Sequence, residues 1–451
     1  MSKFLALIPT SLLLLAGCGG SGTSTHQPPP PPPPPPPGQV IATPGPPNAE
    51  SLVIDSGPNA LTTPATNTAF VTVKVCMPDG TFATCQTIDH IEIDTGSIGL
   101  RIIAAGNPAG QLSLALPAVA DPNNANHVLA ECLEFADGFS WGSVNRADIS
   151  LPVSGETATN VIVHVIGATS AGDPANANPT CVPPAPLVTE NTVPAFGANG
   201  ILGVGPFVND CNSTSACTAQ APTPAGCSGM SCYPGNSATY FSCTTPPAAL
   251  SCAQTNVPLD HQLPNPAVVF AKHPDGSVDN NGVIVELPAV GASGAAGPFT
   301  GGVLVFGIGT QTNNAITGAT KLPADQSSGV ISATLNGKMY PNSYLDSGSN
   351  ANLFPSTLPG CPSPNQGFLC PGSTTNESAT LQGTNGTVLT ADFSVANANS
   401  LFSNANYVAF PNLAGNNSDN TSVDLGLSFF YGRNIFTGFE NPNVSAPYFA
   451  Y

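Results

Sequence analysis

One short pattern occurs twice in this chain, and it constrains the fold more than any other feature. The first copy is Ile91-Glu92-Ile93-Asp94-Thr95-Gly96-Ser97-Ile98-Gly99-Leu100-Arg101-Ile102. The second is Ser343-Tyr344-Leu345-Asp346-Ser347-Gly348-Ser349-Asn350-Ala351-Asn352-Leu353-Phe354. In each, an apolar approach delivers an aspartate to a tight turn, and a second apolar stretch leaves it. Alternation with period two is the mark of a strand, so each copy is expected to be strand, turn, strand. A third Asp-Ser-Gly, at Asp55, is followed by Pro58 with no apolar run leaving it. It is expected to be a surface turn near the domain start.

Two such turns on separate halves suit a chemistry that needs two carboxylates. Held about 3 Å apart, two carboxylates cannot both ionise, so they share a proton. The ionised member can take a proton from a water between them while the protonated one hydrogen-bonds a substrate carbonyl. Gly96 and Gly348 allow close backbone approach, and the neighbouring hydroxyls can bond the carboxylates or tie the loops together. The plainer alternative is two unrelated β-turns in which aspartate bonds its own backbone.

Composition favours the sheet that such a site requires. Only 8% of residues are charged, while Gly 46 and Pro 49 are abundant, and hydrophobic content is 41% over 451 residues. Few long helix formers and many turn formers predict an all-β or β-dominated chain, long enough for two core-bearing lobes. A formal charge of −18 argues against nucleic acid or anionic membrane surfaces as partners. With so few cations, little positive charge builds up once the carboxylates protonate, so self-repulsion in acid is small. A merely soluble acidic exported protein would have the same balance.

The start of the chain predicts export. A short basic start and an apolar core over 4–15 lead to Leu15-Ala16-Gly17-Cys18. This resembles the bacterial lipoprotein signal, which implies that residues 1–17 are removed and Cys18 is lipidated. Gly19 after the cysteine implies the outer membrane of a Gram-negative envelope. An ordinary signal peptide with an incidental cysteine is the alternative. Ten prolines over 28–37 form a stiff spacer of about 3 Å per residue within an 18–50 linker; a ligand for a proline-reading module is the other possibility. The only membrane contact expected is this anchor.

Strand-like stretches follow at 70–76, 147–153, 160–166, 199–205, 268–270, 282–287 and 302–307, with a hairpin at 132–144 turning near Asp137-Gly138. Setting Cys18 aside, the thirteen cysteines leave twelve for disulfides: Cys76, Cys85, Cys132, Cys181, Cys211, Cys217, Cys227, Cys232, Cys243, Cys252, Cys361 and Cys370. Cys76 and Cys85 are placed to close one hairpin; the other pairings are open. Six of the twelve fall in 211–252, which reads as a stapled insertion outside the core. No Cys-x-x-Cys occurs and the six histidines are scattered, so no metal site and no cofactor are expected.

With both turns and their surroundings in view, the sequence resembles the pepsin-like aspartic proteases, closest to an uncharacterised family of bacterial exported proteins. In that family an apolar-apolar-Gly strand threads beside each aspartate turn. Ile201-Leu202-Gly203 is similar to the first, and Asp424-Leu425-Gly426 to the second, with Asp424 where an apolar residue is usual. The stretches 303–307 and 429–439 are similar to strands entering and closing the second lobe. The resemblance implies a bilobal, mainly antiparallel β fold of double-psi barrel lobes, with lobes at 51–262 (carrying an insertion at 207–255) and 263–451. It implies Asp94 and Asp346 as the catalytic pair, Thr95 and Ser347 linking the loops, and Ser97 and Ser349 bonding the outer carboxylate oxygens. Phe135 stands where the family's flap carries a tyrosine, with Trp141 nearby.

The expected activity is endopeptidase hydrolysis of a peptide or protein in the cleft by activated water, in a monomer, since one chain carries both halves. A pepsin-fold binding protein without catalysis is the rival, favoured by Phe135. Gly138-Phe139-Ser140-Trp141-Gly142 matches the serine-hydrolase elbow, but that elbow needs a helix after the serine, and the following residues read as strand. His90 is expected to face outward on the approach strand.

Overall fold

The computed structural model describes residues 39–136, 138–167, 188–210, 239–245, 249–417, 419–441 and 445–451. The signal, Cys18, the proline spacer, Asp137, Cys181, Cys211, Cys217, Cys227 and Cys232 lie outside these residues. The described chain is mainly β, with helix confined to short turns such as Val193–Phe196, Ala398–Leu401 and Leu427–Phe430.

Six strands in the first half close on themselves. Ala69–Cys76 pairs antiparallel with Cys85–Asp94, which runs parallel to Gly200–Val204. Gly200–Val204 is antiparallel to Ile98–Ile103, which is parallel to Thr157–Ile166. Thr157–Ile166 pairs with Gly138–Ser150, and that strand returns to Ala69–Cys76. The sequence explains much of the closure: Val71, Val73, Val75, Ile91, Ile93, Leu100 and Ile102 recur at period two on three of the six strands, and all are buried in one core cluster. Burying each such side chain stabilises the fold by about 1.5–3 kcal/mol.

In the second half the ring stays open. The strand order is Val388–Val395, Thr375–Gln382, Ile331–Leu335, Lys338–Leu345, Asp424–Leu425, Asn352–Phe354 and Ala414–Asn416. A further set of strands joins the chain's beginning to its end. Ala49–Ile54 pairs with Phe299–Phe306, which pairs with Gly282–Leu287, followed by Arg433–Gly438 and Tyr448–Ala450.

Three expectations require correction. Residues 268–270 are not strand: Pro266–Val269 is a 3-10 turn, opened by Asn265, whose side chain accepts a bond from the Ala267 N–H. The stretch 429–439 begins as the helical turn Leu427–Phe430 before the strand Arg433–Gly438. The end of the cysteine-rich segment belongs to the core. Tyr240–Thr244 pairs with Asn124–Glu134, Tyr240 and Phe241 are fully buried, and Phe241 meets Trp141 edge-on at 5.0 Å. Two large aromatics set among serines and threonines carry enough apolar surface to anchor the strand, which a composition argument averages away.

Three disulfides are described, Cys76–Cys85, Cys243–Cys252 and Cys361–Cys370, each spanning nine residues of sequence. Cys132 is also disulfide-bonded.

Candidate active site

Each aspartate sits at the end of, or just beyond, a strand whose register is fixed by a glycine-bearing neighbour. In the first half Cys85–Asp94 lies beside Gly200–Val204, with Leu202 opposite Ile93 and Gly203 opposite Asp94. In the second, Lys338–Leu345 lies beside Asp424–Leu425, with Asp424 opposite Tyr344 and Leu425 opposite Leu345. The glycines that follow permit the crossing. A Cβ on Gly203 would lie 2.7 Å from the Ile98 nitrogen, and one on Gly426 would lie 2.2 Å from the Ala351 carbonyl oxygen. Both distances are closer than any side chain tolerates.

These frames bring the two turns face to face. A Cβ on Gly96 would sit 2.6 Å from Asp346 Oδ2, and a Cβ on Gly348 would sit 2.6 Å from Asp94 Oδ1. Each glycine therefore serves the other half's carboxylate. Each also serves its own: Gly96 N–H donates to Asp94 Oδ1 at 2.6 Å, and Gly348 N–H to Asp346 Oδ1 at 2.9 Å. The loops are tied beneath the carboxylates by reciprocal bonds. Thr95 N–H donates to Ser347 Oγ at 3.1 Å, and Ser347 N–H to Thr95 Oγ1 at 2.9 Å. The hydroxyls pass the bonds on, Ser347 Oγ to the Ile93 carbonyl at 2.8 Å and Thr95 Oγ1 to the Leu345 carbonyl at 3.4 Å. Thr95 and Ser347 are fully buried, so these four bonds satisfy polar groups that have no water to turn to.

The two serines at the fourth position behave differently. Ser349 Oγ donates to Asp346 Oδ2 at 3.2 Å and also bonds Asp424 Oδ2 at 2.5 Å. Ser97 Oγ is buried and makes no hydrogen bond, contrary to the bond to Asp94 that the resemblance implied. The difference lies in the crossing strands: Ile201 occupies the register position of Asp424, and an alkyl group offers a hydroxyl nothing to bond.

Three carboxylates are thereby collected in one cluster, Asp94 and Asp424 buried and Asp346 partly so. Burial, then the charges of Asp94 and Asp424 and a hydrogen bond with Asp94, hold the Asp346 carboxyl well above the usual range. Burial pushes Asp424 up to about 8; the bond from Ser349 opposes this and the charge of Asp94 adds to it.

A cavity of about 820 Å³ opens over the pair. Both aspartates line it, with Phe135, Phe196, Ile201 and Leu353 among its apolar walls. Phe135 lies in the hairpin between Asn124–Glu134 and Gly138–Ser150 and packs edge-on against Phe196, with centroids 5.7 Å apart. Trp141, expected near the flap, does not line the cavity. It is 1% exposed in the cluster with Phe241, because its place in the strand turns it to the inner face.

The remaining candidates are structural. Asp55 Oδ1 accepts from Gly57 N–H, an Asx turn, and Asp55 Oδ2 lies 3.3 Å from His90 Nε2. Ser140 is fully buried within the strand Gly138–Ser150, so no helix follows it and the elbow geometry is absent. Sequence reasoning missed a buried ionic group beneath the first turn. Arg101 Nη2 meets Glu131 Oε1 at 2.6 Å and Asp210 Oδ2 at 3.6 Å, while His164 Nδ1 lies 3.0 Å from Glu131 Oε2. Burial alone would lift Glu131, but Arg101 and His164 beside it bring it down to about 2. The signal was available, since Arg101 is the one charge in an otherwise apolar exit run.

A search of curated proteins returns no match to this chain. A family model described as "Protein of unknown function (DUF3443)" matches residues 44–451, and the chain belongs to that family.

Proposed function

We propose that this chain is an aspartic endopeptidase with pepsin-like bilobal architecture, one double-psi lobe supplying Asp94 and the other Asp346. The observation that carries this reading is the reciprocal geometry of the two turns, in which each glycine faces the opposite carboxylate and the loops exchange bonds through Thr95 and Ser347. Two independent surface turns have no reason to meet in this way.

In the proposed reaction a water between the carboxylates attacks the peptide carbonyl carbon. Its proton passes to Asp94, and the proton on Asp346 passes to the carbonyl oxygen, giving a neutral gem-diol. In collapse, the proton on Asp94 moves to the amide nitrogen as the C–N bond breaks, and a gem-diol proton returns to Asp346. Atoms and charge balance without a covalent enzyme intermediate. The apolar walls at Phe135, Phe196, Ile201 and Leu353 fit a substrate bound in extended form with apolar side chains beside the scissile bond. The start of the sequence supports a cell-envelope lipoprotein anchored through Cys18, with the proline run as spacer.

Incubating the purified protein with mixed peptides from about pH 3 to 7, beside Asp94→Asn, tests this. New termini should appear with the parent protein and be absent with the variant. Cleavage equal in both would defeat the proposal. One observation favours the rival, a binding protein with this cleft: Phe135 brings no hydroxyl to the site and is engaged with Phe196. Peptide retention without cleavage would establish that reading instead.

A further inference from the structure

Away from the cleft, Glu156 meets two side chains from a distant segment, His273 and Asp279, with their donor atoms aimed at one point. Glu156 Oε1, His273 Nε2 and an Asp279 carboxylate oxygen all lie within 4.8 Å of one another. His273 Nε2 is 2.8 Å from Asp279 Oδ2 and 3.5 Å from Glu156 Oε1. Glu156 and Asp279 are each 1% exposed, and Glu156 Oε1 has no hydrogen-bond partner. A carboxylate oxygen removed from water and left without a donor is costly, and it points to something else at that position.

The surroundings are built for holding an ion. Asp279 Oδ1 accepts from Thr310 Oγ1, and Asp279 Oδ2 accepts from Gln311 Nε2 at 3.2 Å. Asn314 fixes that turn in its own right: its Oδ1 accepts from the Thr310 and Gln311 N–H groups, and its Nδ2 donates to Thr310 Oγ1 at 2.8 Å. Such outer bonds orient a ligand without neutralising it, since Thr310 and Gln311 carry no charge. His273 is set by its own turn, its N–H donating to the Ser277 carbonyl at 3.0 Å and its carbonyl accepting from Gly276 N–H at 2.8 Å. Its side chain is 13% exposed, leaving one side open to water.

We propose that Glu156, His273 and Asp279 form a divalent-metal site that clips together two stretches of chain, the turn before Thr157–Ile166 and the segment before Gly282–Leu287, with the turn after Phe299–Phe306 bonded to Asp279 behind them. One imidazole and two carboxylates suit a transition ion better than calcium or magnesium, and zinc fits best. Bonds of about 2.0 Å in a tetrahedron set donors about 3.3 Å apart, and the two separations from His273, 3.5 and 2.8 Å, fall on either side of that value. Water completes the fourth position. The ion's role is to hold loops together, and the proposal is independent of the peptidase reading.

The test uses the untagged full-length chain, stripped with chelator and then dialysed against zinc. Metal analysis should find about one zinc per chain, and zinc should raise the melting temperature by about 3 °C or more. Glu156→Gln and His273→Gln should each hold less than about 0.1 zinc and lose that shift, with a far-ultraviolet dichroism spectrum like the parent's. Should either variant fail to fold, cobalt added to the stripped parent supplies the answer through the visible bands of tetrahedral coordination. An unmoved melting temperature with no zinc retained, or a parent showing no cobalt bands, would overturn the site. Zinc retained by both folded variants would also overturn it.

Discussion

The two halves of the site share a plan and invert its charges. In the first half Arg101, on the exit strand, stands opposite Ile201 on the crossing strand. In the second, Leu353 on the exit strand stands opposite Asp424 on the crossing strand. The ionisable group has therefore changed strand. Arg101 reaches into the core, where Glu131 and Asp210 receive it, and its half closes into a six-stranded ring. Asp424 reaches Ser349 and through it Asp346, and its half stays open. The same backbone frame thus uses a buried charge for architecture on one side and for the carboxylate cluster on the other.

If that comparison is right, its largest consequence is in stability. Arg101→Ala strands Glu131 and Asp210 without their cation, and should lower the unfolding free energy by about 3–5 kcal/mol in chemical denaturation. Leu353→Ala, at the matched position, removes a half-buried alkyl group and should cost less, about 1–3 kcal/mol. Equal losses at the two sites would break the contrast.

The reciprocal ties should respond alike, because they are the part the halves share. Thr95→Val and Ser347→Ala each leave a buried N–H of the opposite loop without its acceptor, at about 1–3 kcal/mol apiece. Measured together in a double-mutant cycle, they should fall short of additivity by about 0.5 kcal/mol or more, since the bonds join the same two loops. Full additivity would mean that the loops are held independently.

A smaller effect should appear in pH dependence. Asp424 keeps its proton in the folded state to about pH 8, while an unfolded aspartate ionises near its ordinary value of 3.8. Below that value both states hold the proton and nothing is lost. As pH rises from about 4 toward 8, the unfolded state is increasingly favoured, so stability falls. Glu286, raised to about 7 by burial, acts in the same sense. Denaturation midpoints should thus be higher near pH 4–5 than near pH 8, and Asp424→Asn should flatten that slope by about 1 kcal/mol or more. Glu131, brought down to about 2, contributes in the opposite direction only in stronger acid, as pH falls through that value. A slope unchanged by Asp424→Asn would remove Asp424 from the account.

Much of this was legible in the sequence, for identifiable reasons. Alternation at 91–94 and 70–76 gave strands because one face had to be buried, and the glycines at 203 and 426 marked close crossings because no other residue fits there. The strand Tyr240–Thr244 was hidden, since its local partner is only the three-residue Cys252–Gln254 and the strand that seats it in the core lies more than a hundred residues upstream, a pairing local composition does not register. Asp424 was visible as a departure from an apolar pattern, but its bond through Ser349 depends on a register that only the folded sheet sets. Arg101, Glu131, His164 and Asp210 come from four separate segments, and Glu156 lies more than a hundred residues from His273 and Asp279. Sites assembled from single residues on many strands leave no local signature.

The central claim is that Asp94 and Asp346 act as one unit. It is tested most directly by the peptide-cleavage rates of Asp94→Asn, Asp346→Asn and the double variant, measured at the parent's optimal pH. Each single variant should lose about a hundred- to ten-thousandfold, and the double should lose no more than either single. A single variant that keeps activity within about tenfold of the parent, or losses that multiply in the double, would show that the two carboxylates do not share one reaction.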